Sequence, residues 1–421
     1  MSSSTNRGWI VTFAGTGVNL AIGILYSWSI FARFLRMPIA DGGLGFTATQ
    51  GQIPYMIACG IFALMMIPGG RAQDKIGPKA VIIAGGICTG IGFIGSSFLM
   101  TVVGLSIFFG IFFGTAMGLV YTSATPAAVK WFGPQKRGLV TGLVVSGFGG
   151  ASIYTAPLTE YLINSFGIER AMLILGIVFT VITIGLAQLI SNPPAGYVPV
   201  GAAPPPKPKD ADEAKKGTLK VDYEWSEMVK TPQFYLLWLM FCFGSLAGLL
   251  IIGHLSNIAV EQAGVALGFL LVALLAVFNA GGRIGAGVLS DKLGRVNTML
   301  IVFVVQGINF LLFNSYSTLW PLIIGTAVVG ACYGACLSLF PATTADLFGT
   351  KNLGVNYGLV FSSWGVGGVF GGYIGGIVRD ISGTYHTAYL IAAALLAVNI
   401  VLTFFTRKPP EAVYMEETVK G

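Results

Sequence analysis

Charge is what this sequence has least of. Only 10% of its 421 residues are Asp, Glu, Lys or Arg, against about 25% in a soluble domain. Its 24 basic and 17 acidic side chains are too few to coat a core drawn from 54% apolar residues. A soluble enzyme and a disordered chain are both excluded, because each needs more polar composition than this. Cysteine is sparse too. Cys59, Cys88, Cys242, Cys332 and Cys336 all fall inside apolar runs, which excludes a disulfide scaffold and reads as inert buried thiols. Cys332 and Cys336 lie one helical turn apart, but a metal site needs about four ligands and no others are near. Histidine is limited to His254 and His386. No His-Glu-x-x-His, paired-Asp or Gly-x-Ser-x-Gly pattern occurs, so an intramembrane enzyme lacks its residues. No cofactor and no metal are expected. The short polar N-terminus leads straight into an apolar run, so no cleavable signal peptide is expected either.

What the chain has in quantity is long apolar stretches. A helix needs about 20 mostly apolar residues to cross about 30 Å of hydrocarbon. Candidate spans lie near 8–32, 48–69, 78–100, 103–131, 138–161 and 168–190, then near 233–258, 265–289, 296–314, 317–345, 354–378 and 385–406. Between the two sets of six, the composition changes. Seven of the 19 Pro fall between Pro193 and Pro208, and a charged run follows from Lys207 to Lys230. Such a segment cannot bury apolar surface and reads as a linker at the membrane face. The expected organisation is a six-helix bundle over 1–190, a cytoplasmic linker over 191–230 and a second bundle over 231–421.

The net charge of +7 does not imply a nucleic-acid partner, because no soluble face is left to carry a basic stripe. Sorting the basic residues by alternate loops places 19 on the side of both termini and the linker. Four (Arg33, Arg36, Arg170, Arg379) fall on the other side, and Arg283 lies inside a span. The excess of Lys and Arg puts the termini and the linker in the cytoplasm of a multi-pass protein in the cell's inner (plasma) membrane, with lipid as its surroundings.

The halves echo one another. Phe132, Gly133, Gly138, Gly142 and Gly149 recur at one constant offset as Phe348, Gly349, Gly354, Gly358 and Gly365. Gly70, Asp74 and Gly77 recur at nearly the same offset as Gly287, Asp291 and Gly294, followed by Arg295. A duplicated six-span unit points to a secondary transporter.

At these residues the chain resembles the major facilitator superfamily. Gly70-Arg71-Ala72-Gln73-Asp74-Lys75-Ile76-Gly77 resembles that superfamily's loop between spans two and three. Gly287-Val288-Leu289-Ser290-Asp291-Lys292-Leu293-Gly294-Arg295 resembles its copy between spans eight and nine. Glycine permits close helix approach, and Asp74 and Asp291 are suited to hold one gate state by pairing with a helix N-terminus or a cation. A solvated loop acid is the plainer alternative for each. The resemblance implies an all-α membrane fold of twelve transmembrane helices in two pseudo-symmetric six-helix bundles.

A narrower resemblance rests on Trp131-Phe132, Arg137, Leu139, Gly142, Ser146 and Gly147. These residues are similar to the signature entering span five of the monocarboxylate transporters. Tyr26-Ser27-Trp28 and Tyr121 also match the bacterial oxalate/formate antiporters, while the span-one signature of animal monocarboxylate transporters is only partly kept, as Arg7-Gly8-Trp9.

Arg283 is the lone cation within a span. Eight residues before Asp291, it sits about 12 Å along the helix, near the bilayer midplane. Holding a guanidinium there costs about 2.5–3.5 kcal/mol on insertion scales. No span carries an acid at similar depth; Asp346 is at the cytoplasmic end of span ten. The missing anion is then most simply a substrate carboxylate, which guanidinium binds through two parallel hydrogen bonds. Satisfaction by backbone carbonyls, or snorkelling, is the alternative. Asn279, one turn earlier on the same face, either orients Arg283, bonds the substrate or bonds a neighbouring helix. The family resemblance implies an Asp here in the animal proteins, and Asn cannot titrate.

The oxalate antiporters imply a second cation, a Lys, where this chain has Trp364. One cation rather than two suits a monoanion, although Trp364 as simple packing is the alternative. Tyr121, Tyr333, Phe361 and Tyr385 are candidate wall residues, the first three placed by resemblance near the cavity. Leu25 and Leu143 are candidates for contact with a short alkyl chain. His254 is the candidate proton acceptor, with an interfacial hydrogen-bonded His as the alternative. The expected function is transport of a small monocarboxylate with a proton by alternating access, a monomer sufficing. A carboxylate exchanger and a solute-sensing receptor on the same fold are the alternatives.

Overall fold

The computed structural model describes residues 2–132, 134–194, 197, 223–264, 268–349 and 353–406, without the side chains of residues 2–6, 74, 134–139, 291 and 353–354. The expected linker falls mostly outside the described residues, as do Gly133 and the side chains of Asp74, Asp291, Arg137 and Leu139.

Among the described residues the chain is helical throughout, with no strand. Twelve helical passages follow one another as the apolar runs predict. Span one comprises helix Ser2–Ile22, a 3-10 turn Gly23–Ser27 and helix Trp28–Arg36. Spans two and three are Ala48–Ile76 and Pro78–Phe98. Span four is Val102–Leu105, a π-helical stretch Ser106–Phe113 and Gly114–Val129; span five is Pro134–Gly150 and Ser152–Phe166, interrupted at Ala151; span six is Ile168–Ala187. A short helix, Trp225–Met228, precedes the second half. There the spans are Pro232–Ala263, Gly268–Leu293, Arg295–Phe313, Leu319–Phe348, Leu353–Ser382 and His386–Thr403.

Ten of these passages are long and apolar enough to cross a membrane unaided. The two others are spans five and eleven, and each has a visible reason. Span five is broken at Ala151, and nine of the 30 residues of span eleven are glycine, which dilutes hydropathy.

The duplication is visible in the backbone. Gly77 and Gly294, equivalent positions of the repeat, both have φ of +85°, a left-handed conformation that favours glycine. Each ends one span and turns the chain directly into the next, at Pro78 and Arg295. The loop motifs Gly70-to-Gly77 and Gly287-to-Gly294 are therefore paired turns at the same end of the two halves. Arg295 reaches back to bond the Ser290 hydroxyl and pairs with Asp346 at 3.1 Å.

The halves meet along spans two and eleven, five and eight, and one and seven. Span eleven is flat where it crosses span two. A Cβ on Gly368 would stand 2.7 Å from the Cys59 Cβ, and one on Gly376 would stand 2.8 Å from the Thr49 backbone. Without side chains there, the two helices close to backbone contact.

At the distal end, opposite the termini, polar groups tie the halves together. Arg36 of span one pairs with Glu261 of span seven at 2.9 Å and donates to the Tyr385 hydroxyl at 3.2 Å. Glu261 also pairs with Arg379 at 2.5 Å. Asp380 accepts from the Ala48 and Thr49 backbone N–H groups at 2.7 and 2.9 Å, an acid capping the positive start of span two. Gln52 donates to the Gly253 carbonyl at 2.7 Å. The distal end is closed. Glu261→Gln, which removes the acid shared by two guanidiniums, is expected to shift the protein toward a distally open state. Faster labelling of a cysteine placed beneath the network would show it, and unchanged labelling would count against a gate here.

Candidate functional site

Close packing of spans eight and ten builds the site. Gly330 and Gly334 of span ten face the backbone of span eight: a Cβ on Gly330 would stand 2.5 Å from the Leu275 carbonyl oxygen, and one on Gly334 would overlap the Asn279 carbonyl. This Gly-x-x-x-Gly pair lets the helix backbones touch. It sets the segment of span ten that carries Tyr333 against the Asn279 backbone of span eight.

Arg283 is 9% exposed. Its Nε donates to Asn279 Oδ1 at 3.0 Å, and its Nη1 donates to the Val145 carbonyl of span five at 3.3 Å. A guanidinium has five donors and no acceptor, so Asn279 must present its oxygen to Nε. That leaves the Asn279 Nδ2 group facing elsewhere, buried and without a partner among the described residues. Among the described residues no carboxylate bonds Arg283. The Tyr121 hydroxyl lies within hydrogen-bond reach of the guanidinium. Gly149 of span five packs on its face; a Cβ there would stand 3.1 Å from Cζ.

A cavity of about 10 Å³ lies beside Arg283, lined by Tyr26, Phe62, Tyr121, Phe148, Leu337, Phe361 and Trp364. That is room for about one water. Phe62 is the hub of its wall, with ring centroids 5.1 Å from Trp364, 5.6 Å from Tyr121 and Phe148, and 5.8 Å from Phe361. Behind the wall, Trp364 Nε1 donates to the Tyr333 hydroxyl at 2.7 Å, which in turn shares a hydrogen bond of 3.0 Å with the Tyr26 hydroxyl. The charge is thus held in a small, buried aromatic chamber, where its attraction for an anion is stronger than in water.

Of the residues expected from sequence, Arg283, Tyr121, Phe361 and Trp364 line the chamber, and Asn279 and Tyr333 hold its lining in place. Leu25 and Leu143 do not line it. Leu25 is buried in the 3-10 turn of span one, and the Leu143 carbonyl accepts from Thr16 at 3.2 Å. Tyr385 and His254 belong to the distal network instead. His254 Nε2 faces the Gly372 carbonyl at 3.2 Å, and a carbonyl only accepts, so this nitrogen carries the hydrogen. Nδ1 then accepts from the Tyr385 hydroxyl at 3.2 Å.

Sequence reasoning passed over Tyr26, Phe62, Phe148 and Leu337 as lining residues. The internal repeat holds a signal for two of them. Leu337 answers to Tyr121, and Phe148 to Trp364, at the offset that separates Phe132 from Phe348. The chamber is built in part from pseudo-symmetric pairs, one residue from each half. Met66 holds the place in the Gly70 motif's half that Arg283 holds in the Gly287 motif's half, so only one half carries the charge.

A buried cation between two duplicated six-helix halves is the arrangement of a carrier, and the sequence matches accordingly. The profile of the Major Facilitator Superfamily fits residues 8–308 and 269–418. The chain belongs to that superfamily. It is a multi-pass membrane protein of a transporter family, with no enzyme family indicated. Among its relatives is the oxalate:formate antiporter of Oxalobacter formigenes, 28% identical over 406 residues covering 95% of this chain and 91% of that one. Monocarboxylate transporter 13 of Rattus norvegicus is 24% identical over 410 residues, covering 92% and 86%. The solved structure of a bacterial homolog of the human lysosomal transporter Spinster, inward-facing and unoccupied, superposes with a TM-score of 0.63 at 15% identity over 96% of this chain and 95% of that one. That likeness carries the fold.

Proposed function

We propose that the protein is a secondary carrier of small monocarboxylates, moving the anion together with a proton. The observation that carries this reading is the Arg283 site: a guanidinium at 9% exposure, held by an amide and a backbone carbonyl, with no acid partner among the described residues. A guanidinium has five donors, and two bonds to neutral acceptors leave its charge to be met by a carboxylate. Neutralising the guanidinium would allow the loaded carrier to rock and expose the site to the other side. Room for about one water means that substrate enters only when the halves part. Cytoplasmic termini, the bundles over 1–190 and 231–421 and a linker between them fit this cycle and the basic-residue asymmetry.

The single cation of the chamber favours a short monoanion such as lactate, pyruvate or acetate. Uptake of a labelled acid panel into proteoliposomes tests the reading. An inward proton gradient should drive accumulation of a monocarboxylate, and binding without flux would indicate a sensor instead. The similarity to an oxalate:formate antiporter supports a second reading, carboxylate exchange without net proton movement. Counterflow that ignores a pH gradient would select it.

Selectivity has its own test. Trp364 is buried, lines the chamber and donates its indole N–H to Tyr333. Trp364→Lys keeps a donor, adds a second cation and opens volume. It should shift preference toward dicarboxylates by about tenfold, close to the lower end of the about 1.5–3 kcal/mol of a hydrogen bond to a charged group. Unchanged selectivity in a competition assay would reduce Trp364 to packing.

A further inference from the structure

We propose that Gln52 and Tyr55 of span two form an outer subsite for the carboxylate, on the route between the distal network and the Arg283 chamber. The proposal rests on the carrier reading above and names a second place on the path of the same substrate. Tyr55 is 0% exposed, and its hydroxyl has no hydrogen-bond partner among the described residues. Gln52, one turn nearer the distal end, is buried as well. Its Nε2 is engaged by the Gly253 carbonyl, but its Oε1 has no partner among the described residues. A buried polar atom without a partner is costly, and two of them one turn apart call for a reason.

Both residues lie on the seam between the halves, where span two meets spans seven and eleven. Glycines on the facing spans let it close. A Cβ on Gly253 would stand 3.0 Å from Gln52 Oε1 and 3.4 Å from the Tyr55 ring, and one on Gly372 would stand 2.8 Å from Met56 and 3.5 Å from the Tyr55 ring. The seam holds almost no charge. Residues 49–69 of span two and 355–378 of span eleven contain no Asp, Glu, Lys, Arg or His. Residues 232–260 of span seven add only His254, whose two ring nitrogens are engaged.

The same face of span two continues to the chamber. Tyr55 is followed at helical spacing by Cys59 and by Phe62, the hub of the aromatic wall. The Tyr55 hydroxyl lies within electrostatic reach of Cys59, Tyr26 and Tyr333. A thiol is only a weak partner, and Tyr26 and Tyr333 are already bonded to each other. The order along the seam, from the distal end inward, is therefore Asp380 on the start of span two, Gln52, Tyr55, the Tyr26–Tyr333 pair and Arg283. The fold does not require polar groups at these places. At the offset that relates Gly70 to Gly287, Gln52 answers to Phe269 and Tyr55 to Val272 on span eight, both apolar.

When the halves part at the distal end, this face of span two becomes one wall of the entrance. Gln52 Nε2 leaves the Gly253 carbonyl and the Tyr55 hydroxyl is uncovered, so two donors on one helix face meet the incoming anion. A carboxylate accepts at both of its oxygens, and no acid of the seam competes with it for those donors. Closure returns the Gln52 amide to Gly253 and leaves the anion to pass Tyr26 and Tyr333 to Arg283, whose positive charge outcompetes two neutral donors. The outer subsite thus orients the substrate without trapping it.

Transport from the two faces decides the matter. The full-length protein is measured in right-side-out and inside-out membrane vesicles, whose orientation is read from protease access to the termini. Tyr55→Phe removes only the hydroxyl. It should raise the half-saturating concentration of labelled lactate about tenfold at the distal face, the loss of one hydrogen bond to a charged group, and by less than about twofold at the face of the termini. Its melting temperature should stay at or above that of wild type, because the hydroxyl removed has no partner to lose. Gln52→Glu puts a negative charge in place of a donor and should raise the distal value further. The proposal is overturned if either variant leaves the distal value unchanged, if the value rises equally at both faces, or if uptake falls only in step with a lower melting temperature, which marks the pair as packing. Wild type that moves no labelled acid from either face removes the carrier reading itself, and the wild-type arm alone reports that outcome.

Discussion

Arg283→Gln is expected to abolish carboxylate uptake while the protein still folds. Truncating one partner of a buried charge-assisted bond costs about 2–5 kcal/mol, which is more than about thirtyfold in affinity. Stability should move the other way or not at all. The wild-type guanidinium is charged in a small aromatic chamber, and among the described residues only neutral groups, the Asn279 amide and the Val145 carbonyl with the Tyr121 hydroxyl in reach, satisfy it. A neutral side chain removes that burden. Loss of uptake together with an unchanged or raised melting temperature is the signature of a binding group. If Arg283 instead served to tie span eight to span five through the Val145 carbonyl, the same variant would melt lower and transport in proportion to its folded fraction. Arg283→Lys refines the test. It keeps the charge but loses the planar fork, so partial uptake with weaker affinity is expected. A thermal melt with and without lactate, beside a proteoliposome uptake assay, reads all of these outcomes. Full transport by Arg283→Gln would remove the site.

Why Arg283 stands out in the sequence while Tyr26, Phe62, Phe148 and Leu337 of its chamber do not is a matter of contrast. A charge inside an apolar run is visible because lipid makes it costly. An aromatic ring inside the same run is not. In a soluble helix the buried face is marked by its polar opposite face, but in lipid both faces are apolar, so Phe62 and Phe148 looked like any neighbour. The spans themselves were legible for the same reason that facing was not: long apolar stretches give length without orientation. The repeat could have supplied orientation. Phe148 answers to Trp364 and Tyr121 to Leu337 at the offset that already relates Phe132 to Phe348, so a residue suspected in one half nominates its mate. His254 and Tyr385 show the limit from the other side. Their depth was readable, yet their partners, Gly372 and Arg36, come from spans eleven and one, and no spacing within the chain reports that. The helix breaks were equally hidden. The π-helical stretch Ser106–Phe113 contains no proline, and span five breaks at an alanine.

Gly334→Val is expected to cost both the fold and the site. A Cβ at this position would overlap the Asn279 carbonyl and stand 3.0 Å from the Asn279 Cα. Those atoms are backbone and cannot swing aside as a side-chain tip does. Spans eight and ten must then separate, and overpacking of this kind costs about 1–3 kcal/mol or more. The displacement falls where it matters for function. Asn279 positions the Arg283 Nε, and Tyr333, the residue before Gly334, receives the Trp364 indole N–H and bonds Tyr26. Moving the two helices apart shifts the cation relative to its aromatic wall. Uptake should therefore fall by more than the loss of folded protein explains, and addition of lactate should no longer raise the melting temperature. Gly285→Ala is the matched control. It sits on span eight two residues after Arg283 with open space around it, so both melting and uptake should stay near wild type. Equal behaviour of the two variants would mean that the close approach of spans eight and ten does not set the geometry of Arg283.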